Sequence, residues 1–247
     1  MTDFLETPQG RRIAYNRTPG RAPGVVFLGG LVSDMTGTKA VHLEAWARAQ
    51  GRAFLRFDYS GHGESSERFE DGCIGDWSAD AREAIIALTE GPQVLVGSSM
   101  GGWISLLMAR AIPERIAGIV GIAAAPDFTE DSMWADATEE QRMQLIHEGR
   151  FVVPSDYSDE GYIVTRRMIE DGRTNLVLRD PLPLPFAVRL LHGTADTDVP
   201  VAVGLRLMEH ASCADLRLIL VKGADHRFST PECLDLITDT IAALTGD

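Results

Sequence analysis

The chain has 247 residues, 45% hydrophobic and 24% charged, with a formal net charge of −13. That balance is ordinary for a globular protein and ample for a buried core. An acidic surface of this kind repels nucleic acid and anionic lipid, so no nucleic-acid partner is expected. No apolar run is long enough to span a bilayer, the longest being the strand-sized Ile116–Ala125. The opening MTDFLETPQGRR has neither signal-peptide nor transit-peptide character, which points to the cytoplasm. Cys73, Cys213 and Cys233 form no CxxC pair and lie in no activating motif, so they are read as reduced thiols. No His/Asp/Glu cluster has metal-ligand spacing, and no metal is expected.

Short apolar runs alternate with amphipathic segments, the signature of a mostly parallel sheet with crossover helices. Phe4–Glu6 and Arg12–Asn16 flank a Pro8–Gly10 turn and predict an antiparallel hairpin. Buried strands follow at Gly24–Leu28 and Ala53–Phe57, with a helix from about Thr38 to Gln50 between them. Next come a polar loop at Asp58–Ser66, a helix at Asp76–Thr89, a strand at Gln93–Gly97 and a helix at Trp103–Ala111. Ile116–Ala123 is another strand.

The rhythm then breaks. Residues 128–182 carry many Met, aromatic and acidic side chains and no convincing core strand. Thr138 with Gln141 resembles a capping box opening a helix to Gly149, and Tyr162–Asp171 is a second helical candidate ending at Gly172. This stretch is read as a small helical cap inserted into a core made of residues 1–127 and 183–247. The core resumes with a strand at Ala187–Leu191, a helix at Pro200–Ser212 and a last strand at Asp215–Val221. A final helix at Pro231–Leu244 has Thr230 as its N-cap.

Chemistry concentrates at Gly97-Ser98-Ser99-Met100-Gly101, between an apolar strand and a helix. A nucleophile exposed on a tight strand-to-helix turn takes a strained backbone, and side chains two residues either side would collide. Gly97 and Gly101 remove those collisions, which makes Ser99 the nucleophile and Ser98 a small packing residue. A serine hydroxyl needs a base. His226 follows the last core strand, at the sheet edge where such folds collect functional groups. His62, in a loop facing the same edge, is its main competitor. The acid that orients the base is expected after the preceding strand: Asp196, with Asp127 and Asp198 as competitors. The developing oxyanion needs donors, assigned to the backbone N–H of Met100 and, by position after Gly29-Gly30, of Leu31.

These residues resemble the α/β-hydrolase superfamily over nearly the whole chain. FLGGLVSDMTGTKA (Phe27–Ala40), RFDYSGHGESS (Arg56–Ser66), LVGSSMGGW (Leu95–Trp103), RLLHGTADTDVP (Arg189–Pro200) and VPSDYSDEGY (Val153–Tyr162) look similar to the mitochondrial acyl-glucuronide esterase and palmitoyl-protein thioesterase subgroup. The resemblance implies a serine hydrolase of carboxylic esters or thioesters that needs no cofactor. Its substrate would be a small-molecule ester, an acyl thioester or an acylated protein, with Ser99, Asp196 and His226 as the triad. The chain departs from the animal proteins in lacking their targeting segment, which is consistent with a bacterial relative. Amide hydrolysis and acyl transfer to an alcohol use the same triad. A receptor on a hydrolase fold is the reading from another class. Dehalogenases and epoxide hydrolases usually carry Asp at the nucleophile position, against Ser99 here.

Overall fold

A computed structural model describes residues 2–155 and 158–246. Strand β1 (Asp3–Glu6) pairs antiparallel with β2 (Arg12–Thr18), which runs antiparallel to β4 (Arg52–Phe57). From β4 inward the pairing is parallel: β3 (Arg21–Leu28), β5 (Gln93–Ser98), β6 (Ile116–Ile122), β10 (Ala187–Gly193) and β12 (Leu216–Val221). The sheet order is β1-β2-β4-β3-β5-β6-β10-β12.

The continuous apolar runs have a physical cause in this layering. Successive strand residues face opposite sides, and both sides are covered. Val25, Phe27, Val94 and Val96 pack against helices α1 (Thr38–Ala49) and α7 (Pro231–Thr245). Their neighbours Val26, Leu28 and Leu95 pack against α2 (Ile74–Leu88) and α3 (Met100–Ala111), with Trp77 and Trp103 fully buried. Helix α6 (Val201–His210) adds Leu207 to the second layer. Thr230 Oγ1 caps α7 by accepting from Cys233 N, and Pro231 occupies the first turn, as expected.

Between β6 and β10 the chain differs from the wholly helical expectation. A π-helical turn covers Thr129–Trp134, and α4 (Glu139–Glu148) opens with both hydrogen bonds of the Thr138/Gln141 capping box. An antiparallel hairpin follows, β7 (Arg150–Ser155) with β8 (Ser158–Thr165), then α5 (Arg166–Thr174). The helix expected over Tyr162–Asp171 therefore starts later. Thr165 Oγ1 accepts from Met168 N and sets the boundary, leaving Tyr162 to Val164 in the strand. Asp156 and Tyr157 of the Val153–Tyr162 segment lie outside the described residues. Ala137, Leu145, Phe151, Val164 and Ile169 form a small core of this segment's own. Short strands β9 (Leu182–Pro183) and β11 (Ala211–Ser212) pair at the return; β11 occupies the end of the helix expected to run to Ser212. Among the described residues, no helix is long and apolar enough to cross a membrane.

Candidate active site

Ser99 sits in the one residue between β5 and α3, at φ 53° and ψ −116°. This left-handed conformation is costly for a residue with a Cβ and persists only where the surroundings enforce it. They do: Ser99 N donates to Ile122 O (2.9 Å), and its carbonyl accepts from Gly102 N (2.9 Å) and Ala125 N (3.1 Å). The flanking glycines are sterically required. A Cβ on Gly97 would stand 2.2 Å from Gly101 O, and one on Gly101 would stand 2.0 Å from Leu28 O. Ser98 is buried at the end of β5, whereas Ser99 is partly exposed.

The N–H of Met100 is the first of α3, where no intrahelical acceptor exists and the helix dipole favours negative charge. The loop after β3 folds over the serine. A Cβ position on Gly30 lies 3.5 Å from Ser99 Cβ, and Gly30 O accepts from Ser33 N (3.3 Å) and Ser33 Oγ (2.7 Å). Leu31, next in this loop, is half-buried against the core.

Asp196 and His226 leave the sheet at the same edge. Their loops are joined by hydrogen bonds from Thr194 N to Val221 O (3.0 Å), Ala195 N to Ala224 O (3.0 Å) and Gly223 N to Thr194 Oγ1 (2.9 Å). Gly193 permits this approach, because a Cβ there would meet Ala224 O at 2.1 Å. Across the join, His226 Nδ1 lies 2.9 Å from Asp196 Oδ2. The other oxygen, Oδ1, accepts from Asp198 N (3.0 Å) and Val199 N (2.8 Å). The Asp196 side chain is shielded from solvent and that of His226 nearly so. Burial pushes the Asp196 carboxyl up, but the hydrogen bonds from His226 and Val199, the His226 charge and the Asp198 N–H outweigh it and hold it below its ordinary value. With Nδ1 so engaged, Nε2 is the ring nitrogen of His226 that lies outside this contact. Among the described residues, no hydrogen bond joins it to Ser99 Oγ.

The competitors are engaged elsewhere. Asp127 is fully buried and binds Val177 N (2.8 Å), Leu178 N (3.0 Å) and Arg179 (3.0 Å). Burial lifts its carboxyl above the ordinary range despite those donors. His62 is buried among Tyr59, Phe69 and Trp77, with Nδ1 3.2 Å from Ser60 O; burial depresses its pKa. Asp198 contributes its backbone N–H to Asp196 Oδ1, and no side chain caps α6. Burial pushes the Cys73 thiol up to about 12, which removes it as a nucleophile.

One contributor escaped sequence reading. From sequence, His192 at the end of β10 reads as a turn residue beside Gly193. Its Nε2 donates to Val199 O (2.8 Å) and approaches Asp196 Oδ2 (3.5 Å), so it buttresses the acid loop. The i,i+4 spacing of His192 and Asp196 was the available signal.

The segment at 129–174 approaches this edge through polar ties. Trp103 Nε1 donates to Asn175 O (3.0 Å), Gly75 N to Asp171 Oδ1 (2.7 Å), and Arg167 pairs with Asp76 (2.7 Å). Of the apolar side chains that could line an acyl channel, Phe128 stacks edge-on against Trp103 and Met133 packs into the cores. Trp134 packs into the segment's own core, between Arg142 and Arg173. Met143 and Ile146 are exposed.

Residues 24–159 match the α/β hydrolase fold family. The chain is 36% identical over 239 residues to "Palmitoyl-protein thioesterase ABHD10, mitochondrial" of Bos taurus, covering 96% of this chain and 78% of that protein. The human protein of that name is equally similar, at 36%. A crystal structure of an Agrobacterium vitis S4 protein superposes with a TM-score of 0.95 at 37% identity, covering 99% of this chain and 98% of that one. Alpha/beta hydrolase domain-containing protein 10 from mouse gives 0.91 at 35%, with the same coverage.

Proposed function

The chain belongs to the α/β hydrolase fold family, and from that premise we propose that it is a serine hydrolase cleaving carboxylic esters or thioesters through an acyl-enzyme on Ser99. The observation that carries the reading is the pairing, on one sheet edge, of a left-handed serine with a solvent-shielded Asp196–His226 contact of 2.9 Å. Ser99 Oγ attacks the acyl carbonyl while His226 Nε2 takes its proton. Asp196 fixes the tautomer that leaves Nε2 free and stabilises the imidazolium. The oxyanion gathers hydrogen bonds from Met100 N–H and Leu31 N–H, at the positive end of α3. The proton passes from His226 to the departing alkoxide or thiolate. Water, deprotonated by the same His226, then releases the acid and restores Ser99. A serine–histidine bond that is long without substrate commonly tightens in the Michaelis complex.

A thioester substrate, whether a small molecule or an acylated protein, is favoured by the relatives named palmitoyl-protein thioesterase. Residues 128–182 act in this reading as the cap that shapes the acyl and leaving-group pocket. Their polar ties to α2 and α3 support that role. The cytoplasm is the proposed compartment. Cell fractionation separates it from the mitochondrion of the animal relatives.

The test is fluorophosphonate labelling read by intact mass, on wild type and Ser99→Ala, followed by a panel of esters and thioesters of graded acyl length. One adduct on wild type, absent from Ser99→Ala, supports the acyl-enzyme, and the panel ranks the leaving groups. A folded wild type that takes no label overturns the proposal in favour of a receptor.

A further inference from the structure

Lys39 is the second residue of α1, where the aligned peptide dipoles present their positive end and disfavour a cation. A lysine at that position signals a compensating partner, and the structure supplies one. Lys39 Nζ donates to Arg227 O at 2.5 Å, the carbonyl immediately after His226. We propose that Lys39 is a positioning residue for His226, tying the loop that carries the base to the helix that continues from the oxyanion loop. The inference rests on the reading of His226 as general base.

The local geometry explains why one bond matters. Upstream of His226, Ala224 O is held by Ala195 N (3.0 Å). Downstream, Phe228 is fully buried at φ 50°, and its N–H donates to Asp225 Oδ1 (3.1 Å). His226 and Arg227 lie between these anchors, and the Lys39 bond holds the carbonyl that joins Arg227 to Phe228. Ser229 Oγ donates to the same carbonyl (2.8 Å) from within the loop, whereas Lys39 reaches it from α1; losing Lys39 loosens the loop's tie to that helix, where small misplacements are costly to rate. Lys39 also follows directly from the loop holding Gly30 and Leu31, so it couples the oxyanion side of the site to the base side.

The groups facing Lys39 give the bond a pH dependence. Burial brings its ammonium down to about 8, against the attraction of Asp225 and with the repulsion of Arg227; Cys233 of α7 acts in the raising direction. Below that pH, Lys39 makes a charge-assisted bond to Arg227 O; above it, a neutral amine makes a weaker one.

The experiment compares wild type, Lys39→Met and Lys39→Arg with p-nitrophenyl butyrate from about pH 6 to about pH 10, alongside fluorophosphonate labelling. In wild type, kcat is expected to fall on an alkaline limb near pH 8. Lys39→Met is expected to lose about tenfold in kcat with KM within about twofold, and to lose that limb. Lys39→Arg, charged throughout, is expected to keep most of the activity and move the limb upward. A Lys39→Met protein with wild-type kcat, or with lowered kcat and the limb still in place, overturns the proposal. If Lys39→Met does not fold, a Lys39→Arg limb unchanged from wild type overturns it equally. A wild type that takes no fluorophosphonate shows that the hydrolase reading itself has failed, and this inference falls with it; a labelled wild type with an unaltered Lys39→Met profile isolates the failure to Lys39.

Discussion

His192 Nε2 lies 3.5 Å from the Asp196 oxygen that His226 reaches from the other side, while the same nitrogen donates to Val199 O at 2.8 Å. The acid is therefore clasped from below as well as by two backbone N–H groups. Its carboxylate cannot swing to follow a misplaced imidazole. Asp196→Asn should leave this frame folded but offer His226 the wrong hydrogen-bonding group. Steady-state kinetics should show kcat lower by roughly 10³–10⁴-fold, with KM changed only a few-fold. A loss below about tenfold would remove Asp196 from the mechanism.

Glycines around the serine should separate folding from activity. A Cβ on Gly101 meets backbone at 2.0 Å, so Gly101→Ala should be expressed poorly or melt far below wild type in thermal scans. Gly30→Ala meets only contacts of 3.5 Å and beyond. It should fold with near-normal stability, yet place a methyl group beside Ser99 Cβ and slow ester turnover by about tenfold.

Asp127 ties the return of the inserted segment to the end of β6. Its pair with Arg179 adds little, since that arginine is partly exposed. The larger effect of Asp127→Ala is to orphan two buried N–H groups, those of Val177 and Leu178. Urea denaturation should report a loss of about 2–4 kcal/mol. A change under about 0.5 kcal/mol would mean that this loop finds other acceptors.

Lys39 should make stability and activity move in opposite directions with pH. Its folded value of about 8 lies below the ordinary lysine value of 10.5, so the unfolded chain binds more protons between them. Stability from this group therefore rises as pH climbs from about 8 towards 10.5 and is lost as pH falls back through about 8. Denaturation midpoints of wild type against Lys39→Met should diverge in wild type's favour across that window, as wild-type kcat declines.

The sheet was legible because burial on both faces leaves uninterrupted apolar runs, and the expected strands at Gln93–Gly97 and Ile116–Ala123 match those observed to within a residue. The serine turn was legible because sterics demand glycine at Gly97 and Gly101. The β7–β8 hairpin was not. Tyr162 to Val164 fall within the helix expected over Tyr162–Asp171, whereas the cap that opens the helix is Thr165. Lys39 and His192 were missed for a different reason: each acts through a backbone carbonyl or a neighbouring carboxylate that only the folded chain brings near.

Strands β6 and β10 lie side by side, in register from Gly118 with Ala187 to Ile122 with Leu191, although more than sixty residues of chain separate them. Topologically, everything between is a loop. Its length can therefore change without changing the order of the strands. A segment grafted from a relative that keeps Met168, Val177 and Leu178, which pack into the main core, should leave the order of the strands unchanged.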